Sequence, residues 1–83
     1  MNWNIERRTQ ILNLRYLLLL KEDELGSSGR MGVFKGITTQ INKLEDLMAI
    51  KKDSLANRKG LYSQTKRISK EIESIKALEL IDN

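Results

Sequence analysis

Asn57-Arg58-Lys59-Gly60-Leu61-Tyr62-Ser63 is the stretch on which the fold turns. Upstream of it, Ile37, Ile41, Leu44, Met48 and Leu55 recur at steps of four, three, four and seven, the spacing of a heptad seam on one helix face. Downstream, Ile68, Ile72 and Ile75 form a second stripe. On an ideal straight helix that stripe points roughly 140° away from the first. A helix end within 57–62 would absorb the rotation, since Arg58, Lys59 and Gly60 suit a C-terminal cap and Ser63 a fresh N-cap. A stutter in one continuous helix over about 33–81 would absorb it too.

The two solutions give different molecules. A break near Gly60 predicts a three-helix bundle. A continuous helix, roughly 73 Å long at 1.5 Å per residue, predicts a helical hairpin whose first arm covers less than half of the second. Its bare isoleucines would then need another chain. Proline is absent from the sequence, and one glycine inside a helix costs only about 1 kcal/mol. The balance tips toward the long helix, and with it toward a homo-oligomer.

Upstream lies Gly26-Ser27-Ser28-Gly29-Arg30-Met31-Gly32, whose three glycines and two serines predict a loop over 26–32. Residues 26–30 also resemble the glycine/serine linkers used to join two polypeptides. Before them, residues 3–25 hold no helix breaker and are rich in Leu, Arg and Glu, which predicts a helix. At 100° per residue its apolar side chains divide between two faces. Trp3, Ile11, Leu14, Leu18 and Leu25 share one, while Ile5, Leu12, Tyr16 and Leu19 share the opposite one. A helix apolar on two sides must be covered on two sides, by its own domain or by a second chain.

The fold class expected is therefore all-α, a helical hairpin or coiled coil in one helical domain spanning 1–83, with the three-helix bundle as its broken form. At 83 residues the chain has room for one thin core. It contains neither histidine nor cysteine. Disulfides, zinc and thiolate sites, haem ligation and nearly every His- or Cys-dependent mechanism are thereby excluded. No glycine-rich phosphate loop or nucleophile elbow is present, and no cofactor, metal or catalytic residue is expected. The leucine run at 17–20 is too short to span a bilayer and follows no readable secretory signal, so a soluble, cytoplasmic protein is expected.

The net charge of +4 falls entirely in residues 26–60, which carry seven basic and three acidic side chains, while both flanks sum to zero. Lys51-Lys52, Arg58-Lys59 and Lys66-Arg67, followed by Lys70, recur at intervals of seven or eight residues. If 51–70 were one helix, Lys52, Lys59, Lys66 and Lys70 would project within about 40° of one another. Such a rail suits phosphates or an acidic partner. It equally suits a solvated coiled-coil flank, and no aromatic residue interleaves with it. Glu22, Asp23 and Glu24 would close the first helix at the end where its dipole disfavours negative charge.

The function this sequence predicts is a non-catalytic helical protein–protein interaction module, an assembly or adaptor subunit packing against itself or a partner helix. The expected interface is Trp3, Ile11, Leu14, Leu18, Ile37, Ile41, Leu44, Met48, Leu55, Ile68, Ile72 and Ile75. The alternative is a small basic nucleic-acid-binding protein that uses Lys51, Lys52, Arg58, Lys59, Lys66, Arg67 and Lys70.

Overall fold

A computed structural model describes residues 3–75. Four helices follow in order: α1 (Trp3–Leu19), α2 (Glu22–Ser27), α3 (Met31–Ile50) and α4 (Leu55–Glu73). The all-α expectation holds, and its broken form is the one adopted. α1, α3 and α4 each pack against the other two, and short α2 packs on α3. The long continuous helix is not formed, so the oligomer argument that rested on its bare isoleucines lapses.

The break falls at residues 51–54, upstream of the expected 57–62. Lys51 leaves α3 with extended backbone, ψ 143°. Ser54 then caps α4, its hydroxyl oxygen accepting from the Asn57 N–H at 3.1 Å. An N-cap serine satisfies one of the otherwise orphaned donors of a helix start. Gly60 and Ser63 both lie inside α4. The penalty for Gly60 is small enough for packing to override, because Leu61, the next residue, is fully buried.

The new boundary also redraws the stripes. Ile37, Ile41, Leu44 and Met48 are the buried residues of α3, whereas Leu55 is 70% exposed at the start of α4 and leaves the seam. α4 buries Leu61, Thr65, Ile68 and Ile72 at steps of four, three and four. Leu61 is a core residue that the sequence reading passed over. The 140° rotation is taken up by the turn. α4 ends at Glu73 with Ser74 as its C-cap, and the expected continuation toward residue 81 lies beyond the described residues.

The first helix is likewise shorter than expected. α1 ends at Leu19, where the Lys21 N–H tightens onto the Leu18 carbonyl at 2.9 Å, and α2 restarts at Glu22. That restart corrects the reading of the acidic run. Glu22, Asp23 and Glu24 occupy the first turn of α2, where a helix dipole favours them. The Lys21 ammonium donates to the Ile75 carbonyl at 3.1 Å, tying this bend to the end of α4.

The expected loop over 26–32 contracts to residues 28–30. Gly26 and Ser27 complete α2, and Met31 and Gly32 begin α3. Gly29, at φ 71°, adopts the left-handed conformation that glycine accepts without penalty. The Arg30 N–H reaches the Leu25 carbonyl at 2.6 Å and the Gly29 N–H reaches Gly26 at 3.2 Å. These two bonds are the Schellman pattern, which closes a helix and reverses the chain at once.

Candidate interaction surface

The two faces of α1 have different fates. Ile11, Leu14 and Leu18 are 2–3% exposed, packed with the α3 and α4 stripes in a single core cluster. Ile5, Leu12, Tyr16 and Leu19 are 56–62% exposed. With Thr9 between them, these four follow steps of four, three, four and three, a second heptad seam along the outside of the bundle. The outer seam stands as a ridge between two grooves. On one side Leu12, Tyr16 and Leu19 face Phe34 and Thr38 of α3. On the other, Tyr16 and Leu17 face Tyr62, Lys66 and Ser69 of α4.

Charge borders this ridge unevenly. Arg15 pairs with Glu45 of α3 at 2.6 Å. Arg8 lines the same α1–α3 side beside Glu45 and Ala49. Among the described residues, no carboxylate lies within salt-bridge distance of Arg8, Lys59 or Lys66. Each flank therefore carries a cation with no carboxylate partner among the described residues, Arg8 on the α3 side and Lys66 on the α4 side, while Arg15 and Glu45 satisfy each other.

At one end of the bundle a second cluster holds the turn at 51–54. Trp3 is buried, and its indole Nε1–H donates to the Lys51 carbonyl at 3.1 Å. The Arg7 and Arg58 guanidinium carbons lie 5.6 and 5.9 Å from the Trp3 ring centroid, within range of attraction to its π face. Arg58 donates to buried Glu6 at 2.8 Å, and to both Asp53 oxygens at 2.7 and 3.0 Å. Those bonds hold the Asp53 carboxyl below its ordinary range and raise the Arg58 guanidinium. The Arg7 guanidinium adds bonds to the Met48 carbonyl and to Asn4. The result joins α1, the end of α3 and the start of α4.

These placements divide the sequence-predicted sites. Of the twelve residues expected at a partner interface, Trp3, Ile11, Leu14, Leu18, Ile37, Ile41, Leu44, Met48, Ile68, Ile72 and Ile75 are covered by the chain's own helices, and Leu55 is exposed. The basic rail does not run along one helix, which corrects its geometry. Lys51 and Lys52 lie in the turn, and Arg58 is committed to Glu6 and Asp53. Lys59, Lys66, Arg67 and Lys70 remain exposed on α4. The outer seam was visible in the sequence as the second apolar face, but the helical wheel alone could not say which face would be covered.

Among the described residues, no group of His, Cys, Asp or Glu is arranged to hold a metal ion. Within them, no helix is long and apolar enough to cross a membrane. No protein-family model, curated protein or solved structure matches the chain.

Proposed function

We propose that this chain is a non-catalytic helical protein–protein interaction module that works through the outer seam of α1. The observation that carries this reading is the pairing of a satisfied inner face with an equally apolar outer face on one helix. Large apolar side chains aligned at heptad spacing, with grooves on both sides, are the form in which helices receive partner helices. Contiguous exposed apolar surface on a small domain marks an interaction site more often than isolated exposed leucines do.

The test has two arms, read on the full chain. Sedimentation equilibrium from about 1 µM to 1 mM reports self-association across the range where weak interfaces respond. Fluorescence anisotropy of labelled three-heptad peptides with leucine at a and d positions reports binding of a foreign helix. Association in either arm, abolished by Leu12→Gln/Tyr16→Gln with the unfolding midpoint unchanged, supports the module. A chain that stays at 9.6 kDa throughout and binds no peptide is not an interaction module of this kind.

The nucleic-acid alternative draws its support from Lys59, Lys66 and Lys70, which project within about 40° on α4 by helical periodicity. It predicts retention on duplex or single-stranded DNA that weakens steeply with salt and disappears in Lys59→Glu/Lys66→Glu/Lys70→Glu. Retention untouched by those changes sinks it.

A further inference from the structure

We infer that the outer face of α1 receives one amphipathic helix of a partner protein whose apolar stripe is bordered by aspartate or glutamate. The inference rests on the interaction-module reading and names the partner's chemistry. Ile5, Thr9, Leu12, Tyr16 and Leu19 occupy alternating d and a positions, so an incoming helix aligned with α1 meets two full heptads of seam. In that register Arg8 and Arg15 are the g-position residues, on the side toward α3. Lys66 lines the groove on the other side. The occupant's own flanking positions therefore meet Arg8 on one edge and Lys66 on the other, while Arg15 and Glu45, the one acid among these groove-lining residues, are already bonded to each other.

A second copy of this chain complements that surface poorly. Antiparallel pairing of two α1 helices sets g against g, which brings Arg8 toward the Arg15–Glu45 pair of the other copy and supplies no free carboxylate. Parallel pairing sets g against e, where Asn13 and Leu20 offer no negative charge. Like charges across a helix pair disfavour association, and opposite ones both favour and orient it. A flat anionic lipid surface could meet the same cations. It would touch only the crest of the ridge and leave the grooves on either side unfilled, whereas a helix about 10 Å across fits along the ridge with side chains entering both.

The experiment uses two peptides of three heptads, with leucine at a and d and either glutamate or lysine at every e and g position. Repulsion between like charges keeps each peptide from pairing with itself. The glutamate peptide is expected to bind at least about 10-fold more tightly than the lysine peptide at roughly 50 mM salt, with the preference shrinking near 0.5 M as screening shortens. Arg8→Glu/Lys66→Glu is expected to reverse the preference, and Leu12→Gln/Tyr16→Gln to abolish binding of both. All the replaced residues are exposed apart from their own helix, and an unchanged unfolding midpoint confirms that each variant folds. Equal affinity for the two peptides overturns the acidic-partner inference and leaves the module reading standing. Self-association removed by Leu12→Gln/Tyr16→Gln overturns it in favour of a second copy. Sedimentation with phosphatidylserine-containing vesicles and no peptide binding overturns it in favour of a membrane surface. No association of any kind overturns the inference and the module reading together.

Discussion

α1 presents two seams of nearly the same composition and the same spacing, and only one of them holds the fold together. The inner seam, Ile11, Leu14 and Leu18, is closed off by α3 and α4; the outer seam, Ile5, Leu12, Tyr16 and Leu19, faces solvent. The difference does not originate in α1. It originates at residues 51–54, where a turn of four residues sends α4 back along the helix already formed. Among the described residues, one side of α1 then has two neighbouring helices and the other none. Hydrophobic periodicity thus specifies how many faces a helix wants covered, while connection geometry decides which of them the chain covers itself.

The strongest way to break that comparison is to shorten one side chain on each seam. Leu14→Ala is expected to destabilise the chain by about 2–5 kcal/mol, the range for removing a buried leucine and leaving a cavity. Leu12→Ala is expected to fall within about 0.5 kcal/mol of the parent, as exposed substitutions do. Urea titrations followed by far-UV circular dichroism give both values. Comparable losses at the two positions would mean that the outer seam is covered, by the chain itself or by another copy.

The inner seam stays covered only while the turn holds, and the turn's cap can be tested separately. Ser54→Ala removes the acceptor for the Asn57 N–H and is expected to cost about 1 kcal/mol. Ser63→Ala, at the position where the sequence suggested the cap, lies on the exposed face of α4 and is expected to be neutral or slightly stabilising. If the two effects exchange places, the helix begins near residue 63 and the inner seam is assembled differently. Gly60→Ala makes the same point with the opposite sign. A Cβ at Gly60 meets no atom within 4 Å beyond its chain neighbours and the local backbone of its own helix, so alanine should raise stability by about 0.5–1 kcal/mol, read as a higher thermal midpoint. A loss would show that Gly60 is a hinge.

Much of this arrangement was readable in the sequence, and the failures have a common cause. The α3 stripe from Ile37 to Met48, the paired Ile68 and Ile72, and both faces of α1 follow from spacing alone, because a helix repeats its surface every 3.6 residues whatever surrounds it. The break at 51–54 does not. Lys51-Lys52-Asp53-Ser54 has no glycine or proline, and the contacts that fix it to the rest of the bundle come from far along the chain: Trp3 reaches the Lys51 carbonyl, and Glu6 accepts from Arg58, which also holds Asp53. Gly60 offered a stronger local signal and lost to packing. The available clue was Leu61, which extends the second stripe backward past Ser63 at helical spacing and requires α4 to have begun before the cap that Ser63 suggested. Leu55 met the first seam's spacing without belonging to it. The outer seam was legible as a face, but its exposure depends on the position of that same turn.

The smallest expected effect concerns the charge that holds the turn shut. The hydrogen bonds from the Arg58 guanidinium keep the Asp53 carboxyl below its ordinary value of 3.8, so in acid the unfolded chain takes up this proton before the folded chain does. The stabilisation is present in full above that ordinary value and is lost as pH falls through the lower, folded one. Raising of Arg58 by the same contact acts only in strong alkali and leaves the physiological range flat. Because Asp53 is exposed to solvent, the contribution is modest and should fade in high salt. Denaturation at a series of pH values from about 5 down to 2 should give a shallower loss of stability for Asp53→Asn than for the parent in low salt, and parallel curves in roughly 1 M salt. Parallel curves at both salt concentrations would mean that Trp3, Glu6 and the Ser54 cap hold the turn without Asp53. The covering of the inner seam would then rest on buried contacts alone.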